Sequence, residues 1–449
     1  MSTTNSSSQS SDCNTPDWGS ITLSKEAISD QGNKIRLVDS DPDNKLDLFC
    51  YVRCVDNSDP KVKSCRGVVT LNDKVLYQTY GYTHEYTTDS LETIKQTMDF
   101  DSNFVVQDAH EGSLLRVFCV NETWYVTTHR KLDAFRSKWA SRQSFGAQFV
   151  ESLVATYDND TGFKEKIDNV SDEDIATTRV FTLRSSEHDK NPVLLKFLHT
   201  LDKSKCYCFL VRNTSENRIV CQSPETPILY HSGTFSGSYN TESLTSEFLG
   251  LGSDLGVPVP DTHSFSSWEE VCAYVDEKTD HETLQGLIVF NGRDHIKILN
   301  SNYKRYFEVR GNEPSIRYRY LQVRMNKEMT DSLYELYPRY TDQFQNYENM
   351  LYAFAKVIYD SYVKRFIKRQ FVTLPKEEYT IMRACHSWHL EDRAKNRMSL
   401  RKVIEKMNEQ PPTILNKMIR RKTQEAIEEK KKEASKQDDG ESVPMETSE

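Results

Sequence analysis

The chain has 449 residues and a mass of 52.1 kDa, more than one compact core usually holds, so two or three folded units are expected. A net charge of −9 argues against a uniformly basic protein that coats nucleic acid, although local basic patches are compatible with it. The 10 cysteines form no Cys-x-x-Cys pair, and no apolar run reaches the roughly 20 residues that span a bilayer. Neither a disulfide framework nor a membrane protein is therefore expected, and a reducing cytosol or nucleus fits best.

The first third of the chain predicts a tail followed by strands. Residues 1–33 are rich in Ser, Thr, Asn and Asp and poor in large apolar side chains, which predicts a disordered segment. Apolar patterns then predict strands over 35–38, 46–53, 66–71, 75–80, 113–120 and 123–128. Asn72-Asp73 and Asn121-Glu122 are typical of hairpin turns, and a helix-prone stretch, 91–98, separates the two hairpins.

The second hairpin carries charges at both ends. Glu111-Gly112 precedes its first strand, and Arg130-Lys131 follows its second strand. Cations fixed at the end of a rigid strand can bind phosphate with little additional ordering. The hairpin therefore predicts an anion-binding wall, with an ordinary surface hairpin as the alternative.

The middle of the chain alternates helices with further strands. Helices are predicted over 144–156 and 267–275, and strands over 207–212, 217–221, 284–290 and 295–299. Arg218 would stand at the start of one strand, where a structural salt bridge is the alternative to phosphate binding. Lys297 would point inward from another strand, and a buried ammonium needs an anionic partner.

Helical periodicity replaces the strand pattern beyond about residue 324. It predicts helices over 347–369, 376–389 and 400–407. Their predicted core residues are Phe354, Val357, Ile358 and Tyr362. The sequence thus divides into a disordered tail (1–33), a mixed α and β domain (34–325), a helical domain (326–419) and a charged helix with an acidic disordered tail (420–449) that suits a protein partner.

Basic residues in the C-terminal half suggest contacts with nucleic acid. Lys364 and Arg365 begin a basic helix end that suits phosphate, with a solvated face as the alternative. Residues 315–324 alternate arginine with aromatic residues, which predicts a strand whose Arg317 and Arg319 contact phosphate while the rings stack on bases. An edge strand protected by its charges is the alternative. Cys385-His386-Ser387-Trp388-His389 lacks a second ligand cluster, so no metal site is predicted.

Several of these elements match known motifs in their order along the chain. They are Glu111-Gly112-Ser113, Thr128 to Lys131, Asn217 to Val220, and Gln285-Gly286 followed by Lys297. This order resembles the phage-type ATP-dependent RNA ligases of the covalent nucleotidyltransferase superfamily. The run W-Y-x-x-T-x-R-K-L-D-A-F-x-S-x-W, from Trp124 to Trp139, is similar to RNA-ligase-like proteins of large nucleocytoplasmic DNA viruses. The resemblance covers residues 35–303 and implies an α+β ligase-type domain of antiparallel sheets around a cleft, followed by a helical domain that grips RNA.

The chain departs from that family at the positions that carry its chemistry. The family's first motif is K-x-(D/E)-G, whose lysine attacks the α-phosphate of ATP, and Ala109 stands at that lysine. Gln285 replaces the glutamate of the fourth motif and is a poorer metal ligand. The fifth motif keeps Lys297 and has Leu299 in place of its second lysine. Of the nearby lysines, Lys131 is the candidate for a substitute nucleophile.

The resemblance therefore implies a degenerate ligase-like protein of a large DNA virus that binds nucleotide or nucleic acid in the host cytoplasm. The implied nucleotide- or phosphate-binding residues are Glu111, Arg130, Lys131, Arg218, Gln285 and Lys297. The alternatives are an active ATP-dependent RNA ligase or end-repair enzyme with ATP and Mg²⁺ as cofactors, and a virion structural protein without a cofactor. The oligomeric state is left open.

Overall fold

The computed structural model describes residues 21–214, 219–237, 246–252 and 255–438. They form an α+β protein with largely antiparallel sheets and a helical C-terminal region, which confirms the predicted class. The chain divides into two compact units, Met1–Phe307 and Glu308–Glu449. Within the described ranges, none of the helices combines the length and hydrophobicity that crossing a bilayer requires.

The strands belong to the first unit. They are β1 (Ile35–Asp41), β2 (Leu46–Tyr51), β3 (Arg66–Leu71), β4 (Lys74–Tyr77), β5 (His84–Thr87), β6 (Val105–Ala109), β7 (Ser113–Val120), β8 (Thr123–Thr127), β9 (Arg179–Val180), β10 (Lys205–Arg212), β11 (Ile228–Ser236), β12 (Phe248–Gly250), β13 (Thr262–His263), β14 (Gly286–Asn291) and β15 (Asp294–Leu299). Three sheets result, with the orders β1-β2-β3-β4, β12-β11-β10-β7-β8-β9 and β13-β6-β14-β15-β5. Their pairs are antiparallel except β8 with β9 and β15 with β5.

The helices are distributed over both units. They are α1 (Lys25–Ser29), α2 (Pro60–Ser64), α3 (Leu91–Thr97), α4 (Phe145–Asn159), α5 (Thr161–Asp168), α6 (Asp172–Ile175), α7 (Pro192–His199), α8 (Trp268–Lys278), α9 (Ser301–Arg310), α10 (Ile316–Val323), α11 (Lys327–Leu336), α12 (Thr341–Tyr362), α13 (Lys376–Glu391), α14 (Leu400–Asn408) and α15 (Pro412–Asp438). A π-helical turn, Val363–Ile367, continues α12. Short 3₁₀ turns lie at Gly32–Lys34, Thr88–Ser90, Ala134–Arg136 and Pro338–Tyr340.

The five-stranded sheet has one face in a helical core and the other face free to line a site. Successive side chains of a strand point to opposite faces. Val106, Leu287 and Ile298 are buried with Val271 of α8 and Ile94 of α3. The residues between them, including Ala109, Ile288 and Lys297, consequently face the other side of the sheet.

The six-stranded sheet is covered on both faces. On one face Phe209 and Val117 pack against Phe149 of α4 and Phe197 of α7. On the other face Phe118, Tyr125 and Cys208 share a core with Leu48 and Val69 of the four-stranded sheet. Burial of these large side chains fixes two of the three sheets against each other.

Residues 21–33 were predicted as part of a disordered tail, and for them the prediction is wrong. Leu23 and Ile28 are 0% and 3% exposed and pack with Phe49 and Val68 of the four-stranded sheet. Ser24 caps α1 by accepting the N–H of Ala27. The two buried aliphatic side chains stabilise a segment that its polar composition hides. The tails predicted over 1–20 and 439–449 lie outside the described residues.

The segment 315–324 is a helix, α10, and the prediction of a strand is wrong. The Ser315 hydroxyl caps it by accepting the N–H of Tyr318. Tyr320 and Val323, spaced by three residues, are both buried. The alternation of arginine and tyrosine imitated a strand, but the cap and the helical spacing of the buried residues decide the structure. The helical unit accordingly begins at Glu308, before the predicted boundary at residue 325.

The second unit is a set of packed helices whose core matches the prediction in part. Ile358 and Tyr362 are buried as predicted, whereas Val357 is 50% exposed, so its assignment to the core is wrong. The 3.6-residue period of α12 places Val357 just outside the stripe that contains Leu351, Ala355 and Ile358. The charged helix predicted from residue 420 is the C-terminal part of α15.

Candidate functional site

A cavity of about 370 Å³ lies in the first unit, on the face of the five-stranded sheet that carries Ala109 and Lys297. Leu114 and Leu210 of the six-stranded sheet form part of its wall, and Arg66 comes from β3 of the four-stranded sheet. All three sheets thus contribute to its lining. A volume of this size is within the usual range for small-molecule sites.

The cavity is apolar over much of its surface. Ile288 and Phe290 extend from β14, and Tyr80, Tyr82 and Tyr51 add aromatic rings. Tyr80 packs edge-on against His295 at 5.1 Å between ring centroids, and its hydroxyl donates to the carbonyl of Ser232. These contacts fix the positions of the two rings in the wall of the cavity.

A hydrogen-bond chain joins three of the residues that sequence analysis singled out. The Nζ of Lys297 donates to Oε1 of Gln285 at 2.6 Å. The Nε2 of Gln285 donates to the hydroxyl of Tyr303 at 2.9 Å, and that hydroxyl donates to Oε1 of Glu111 at 2.8 Å. Gln285 and Lys297 line the cavity, and Glu111 supports them from behind.

The carboxylate of Glu111 is occupied by the backbone of a neighbouring segment. It accepts N–H groups from Ile219, Val220 and Cys221 at 3.1 to 3.2 Å. Burial raises the pKa of Glu111, although these donors and Tyr303 oppose the rise. Residues 219–221 therefore bind a side chain instead of forming the predicted strand, and β10 pairs with β7 and β11. Arg218, predicted to bind phosphate, lies outside the described residues.

Lys297 and Arg66 are the cations of the cavity lining. Burial lowers the pKa of Lys297, and the positive charge of Arg66 lowers it further, while the charges of Glu85 and Glu111 oppose the shift. Glu85 lies opposite Lys297 in the β5–β15 pair and also lines the cavity, with an exposed side chain. Within the described ranges neither cation forms an ion pair with a carboxylate. The two positive groups can therefore accept an anionic ligand.

Two histidines of the lining are held neutral. Burial lowers the pKa of His295 to about 3, and its Nε2 lies 2.7 Å from the hydroxyl of Thr83. Burial lowers the pKa of His110 to about 4, and its ring stacks on Tyr230 with 4.7 Å between centroids. Both rings are hydrogen-bonding groups without charge near neutral pH.

The glycines of the two predicted motifs are required by the backbone. Gly286 has φ +139°, and a Cβ there would stand 2.1 Å from the carbonyl oxygen of Ile298. A Cβ on Gly112 would stand 2.6 Å from the carbonyl oxygen of Val211. Ala109, paired with Gly286, is 3% exposed and lines the cavity, so a methyl group occupies the position of the family's lysine.

Arg130 and Lys131 do not line the cavity in the described chain. The Nη2 of Arg130 donates to the carbonyls of Tyr51 and Val52 at 3.2 and 3.4 Å. The exposed Nζ of Lys131 lies 3.8 Å from the carboxylate of Asp39. Their expected phosphate contacts and the role of Lys131 as a substitute nucleophile thus find no support in this arrangement.

Residues in the run from Trp124 to Trp139 form hydrogen bonds that stabilise the first unit. Asp133 is 3% exposed and accepts the N–H groups of Phe135 and Leu183, both at 2.9 Å. Asp39 accepts the N–H of Leu132 at 2.9 Å. The acidic and aromatic residues of this run connect β8 to the four-stranded sheet and to residues 182–183.

The arginines of α10 donate hydrogen bonds to other residues of the second unit. The Nε of Arg317 donates to Asn416 at 2.9 Å, and Arg319 donates to the carbonyls of Val309 and Glu308 at 2.8 and 2.7 Å. Both side chains are half-buried. Their predicted role in RNA binding assumed a strand, and on a helix their donors stabilise the fold.

The basic turn, which we define as residues 363–371, stands out on the second unit. Lys364, Lys368 and Arg369 are exposed, and Ile367 and Phe371 are 67% and 91% exposed. Arg365 lies over the ring of Tyr379 at 5.5 Å. A π-helical turn produces this display, because its extra residue ends the regular packing of α12.

Arg66, His110 and His295 were missed by sequence analysis. Arg66 stands at the start of a strand, the same signal that drew attention to Arg218. The two histidines give no such signal, because a histidine beside a strand is as common in a core as in a site. Among the described residues no group of three or more His, Cys, Asp or Glu is arranged to hold a metal ion.

Comparison with known proteins finds relatives in iridoviruses. The chain is 27% identical over 403 residues to an immediate-early protein ICP-46 homolog of Invertebrate iridescent virus 6, covering 84% of this chain and 80% of that protein. It is 27% identical to the homolog of Invertebrate iridescent virus 3 over 382 residues, covering 81% and 74%. It is 28% identical to immediate-early protein ICP-46 of Frog virus 3 (isolate Goorha) over 222 residues, covering 49% and 50%. No family model matches the chain.

Among solved structures, the chain is similar to two forms of an archaeal ATP-dependent RNA ligase. Both are 10% identical, with TM-scores of 0.36 and 0.34. The alignments cover 72% of this chain in each case, and 78% and 70% of the ligase chains. TM-scores at this level are too low to assign the fold, which is described here from its own sheets.

Proposed function

We propose that the cavity of the first unit binds a nucleotide, as in a ligase-type nucleotidyltransferase cleft whose residue 109 has lost covalent chemistry. The observation that carries the proposal is the meeting of Ala109, Gln285 and Lys297 in one cavity. These three positions are far apart in sequence, and each was matched to a different ligase motif. The phosphates would contact Lys297 and Arg66, and the base would pack on Ile288 and the aromatic wall.

The charges and shape of the cavity support this assignment. Two cations without a carboxylate partner in the described chain provide a site for phosphate, and Arg in particular offers paired donors. The apolar wall supplies area for a base, and the neutral His110 and His295 add hydrogen-bonding groups without charge. A methyl group at residue 109 can contact a ligand but cannot attack it.

Titration calorimetry with ATP, with and without Mg²⁺, tests the proposal on the whole chain. Lys297→Met and Arg66→Met should each weaken ATP binding by about tenfold, the loss expected for one charge-assisted hydrogen bond. Lys131→Met is the matched control, because this lysine lies outside the cavity, and it should bind like the parent protein. Absence of ATP binding, or equal affinity in all variants, would refute the proposal.

The relatives suggest where such a protein acts. Their viral sources support a viral origin for this chain. We propose further that it is a protein of a large DNA virus that works in the host cytoplasm, with ATP as the ligand and Mg²⁺ as the companion of its phosphates. The alternative of a virion structural protein predicts abundance in purified particles without ATP binding. Calorimetry and quantification in particles separate the two.

A second candidate function, binding of single-stranded RNA, is favoured by the basic turn. Lys364, Arg365, Lys368 and Arg369 form no ion pair with a carboxylate in the described part of the chain. The exposed ring of Phe371 beside them can stack on a base, and cations next to exposed aromatics are the usual combination for single strands.

RNA binding can be measured by fluorescence anisotropy with a single-stranded oligonucleotide at several salt concentrations. Lys364→Ala with Lys368→Ala should lower the affinity and reduce the slope of log K against log salt by roughly 1.5. Arg401→Ala is the control, because Arg401 is also exposed but is paired with Glu405. Salt-independent binding, or equal loss in the control, would contradict this function.

A further inference from the structure

We propose that the basic turn of the second unit is a docking surface for an acidic segment of the same chain, which we define as residues 439–449. The acidic segment follows α15 and lies outside the described residues. The docking rests on the charges and contacts of the second unit. Its consequence for nucleic acid rests on the RNA binding proposed for the basic turn.

The basic turn presents cations and apolar side chains together. The N–H of Gln370 donates to the carbonyl of Lys364 at 2.9 Å, which closes the backbone of the turn. Ile367 and Phe371 are 67% and 91% exposed, and exposed apolar side chains beside charges are typical of an interaction site. The lysines and arginines of the turn form no ion pair with a carboxylate in the described part of the chain. A matching occupant therefore combines negative charge with apolar side chains.

The acidic segment has this composition. Its sequence is Asp-Gly-Glu-Ser-Val-Pro-Met-Glu-Thr-Ser-Glu, with four acids and no lysine, arginine or histidine. Val443, Pro444 and Met445 form an apolar run between the acids. The basic turn has four cations and no acid over residues 363–371. The two stretches are thus complementary in charge, and each carries apolar side chains for the other to cover.

The helix that leads to the acidic segment passes close to the basic turn. Arg421 of α15 donates to Glu377 at 3.1 Å and to Glu378, both in the first turn of α13. The next residue, Tyr379, has the guanidinium of Arg365 over its ring at 5.5 Å. The first turn of α13 therefore contacts α15 on one side and the basic turn on the other.

The acidic segment is long enough to return from the end of α15. The helix rises by about 26 Å from Arg421 to Asp438. The 11 residues that follow can span up to about 36 Å when extended. The last two acids, Glu446 and Glu449, can therefore come back to the level of Arg421 and to the turn beside it. Because the segment is tethered, its concentration near the turn is on the order of millimolar, which favours it over a separate acidic peptide.

A docked segment excludes nucleic acid from the same surface. Both bring negative charge to Lys364 and Lys368, and both cover the ring of Phe371. RNA then binds only to molecules in which the acidic segment has left the turn. The segment is thus a competitor that the chain itself carries.

Cross-linking of the whole chain is the primary test, and it does not depend on RNA. A carbodiimide joins a carboxylate to a lysine amine in contact with it, and mass spectrometry of the monomeric product identifies the pair. We expect an amide between Glu446 or Glu449 and Lys364 or Lys368, with a lower yield at high salt. Cross-links of these two acids only to lysines of α15, only between two chains, or to no lysine would overturn the inference.

RNA affinity at low salt gives a second readout. If the acidic segment occupies the turn in about four fifths of the molecules, Glu446→Gln with Glu449→Gln should raise the affinity about fivefold. Glu428→Gln with Glu429→Gln is the matched control, because it removes the same charge from exposed positions of α15 outside the segment. It should change the affinity by less than about twofold.

The outcomes separate this inference from RNA binding itself. In a chain that binds RNA, equal gains in both double variants, or no gain in either, would overturn the docking. Absence of RNA binding in the parent protein would refute the second candidate function alone, and the cross-link would then decide the docking.

Discussion

Two cations of the first unit differ in their surroundings from two of the second, although Arg116 of the first unit is also buried and donates to the carbonyls of Gly67 and Thr128. In the first unit, Lys297 and Arg66 line a cavity, and Lys297 is bonded to a neutral amide. In the second unit, Arg324 is bonded through two nitrogens to Glu348 at 2.7 Å, and Arg310 is bonded to Tyr337 and the carbonyl of Glu313. A buried cation without an acidic partner destabilises a fold. A buried cation that has a carboxylate partner and all of its hydrogen bonds instead holds together the helices it contacts.

This difference separates groups kept for a ligand from groups kept for the fold. A cation that destabilises the free protein is retained only if something else, such as a bound phosphate, compensates for it. This criterion supports our proposal that the cavity of the first unit binds an anion. The second unit offers cations to a ligand at the basic turn, where they are exposed and cost little.

The largest effect expected is on the backbone that positions the cavity. Gly286→Ala would place a Cβ 2.1 Å from the carbonyl oxygen of Ile298 at φ +139°. We expect a loss of about 4 kcal/mol in the stability of the first unit, from strain and overpacking together. Urea denaturation followed by the fluorescence of Trp124 and Trp268 measures it.

Gly292→Ala is the control for this change. Gly292 also has a positive φ, +60°, but a Cβ there meets nothing within 4 Å. It should cost only about 1 kcal/mol, the usual penalty for a side chain in the left-handed region. Equal losses at both glycines would show that the close approach to Ile298 does not determine the geometry of the cavity.

The helical unit should be sensitive at the part-buried ion pair of Arg324 with Glu348. Arg324→Met removes the guanidinium and leaves Glu348, whose pKa this arginine lowers, without its partner. Because the side chain of Glu348 is 33% exposed, we expect a loss of about 2 to 3 kcal/mol, less than for a fully buried pair. Thermal denaturation followed by circular dichroism at 222 nm reports on the helices. Arg365→Met, which breaks no ion pair, should cost less than about 1 kcal/mol.

Patterns of apolar residues predicted nine strands of the first unit, β1 to β4, β7, β8, β10, β14 and β15, and missed β5, β6, β9, β11, β12 and β13. Strands such as β7, β8, β14 and β15 have hairpin turns and buried β-branched or aromatic residues, so local sequence decides them. Local sequence patterns failed to predict the structure where a residue distant in the sequence determines it. Residues 219–221 are held by Glu111 rather than by a neighbouring strand, and no local pattern reports such a contact.

The site was predicted in part for the same reason. The positions Ala109, Gln285 and Lys297 were identified from motif order, and the structure brings them to one cavity. Arg66 was missed because its contribution depends on how the four-stranded sheet packs beside the others. Arg317 and Arg319 were misjudged because alternation of charge and ring was taken for a strand, although Ser315 caps a helix there. Patterns in a single sequence do not show how elements that are distant in the chain pack together.

Acid should affect the first unit more than the second. Burial lowers the pKa of His231 to about 4 and of His295 to about 3, so both stay neutral in the folded unit while an unfolded histidine gains a proton below pH 6.5. The unfolded state then binds more protons, and stability falls as the pH falls. One such histidine costs about 1.4 kcal/mol for each pH unit below 6.5, so we expect each of the two to cost about 2 kcal/mol at pH 5.

Fluorescence separates the two units in this experiment. Trp124, Trp139 and Trp268 belong to the first unit, and Trp388→Phe removes the tryptophan of the second. Urea titrations of this variant at pH 7 and pH 5 should show the loss of stability by fluorescence. The transition in circular dichroism at 222 nm, which follows the helices, should shift less between the two pH values. His231→Gln should reduce the acid effect. A loss that is equal in both signals would remove this contrast between the units.

The smallest effect expected concerns an arginine that the sequence presented as a nucleic-acid ligand. Arg317→Ala removes one hydrogen bond to Asn416, between α10 and α15, so it should cost about 1 kcal/mol in stability. It should leave RNA affinity and its salt dependence unchanged, because the donor is already used within the helical unit. Lys364→Ala should do the reverse, with stability nearly constant and RNA affinity reduced. If Arg317→Ala weakens RNA binding at constant stability, then arginines of α10 bind ligand after all, and the division between cations for the fold and cations for a ligand does not hold in this unit.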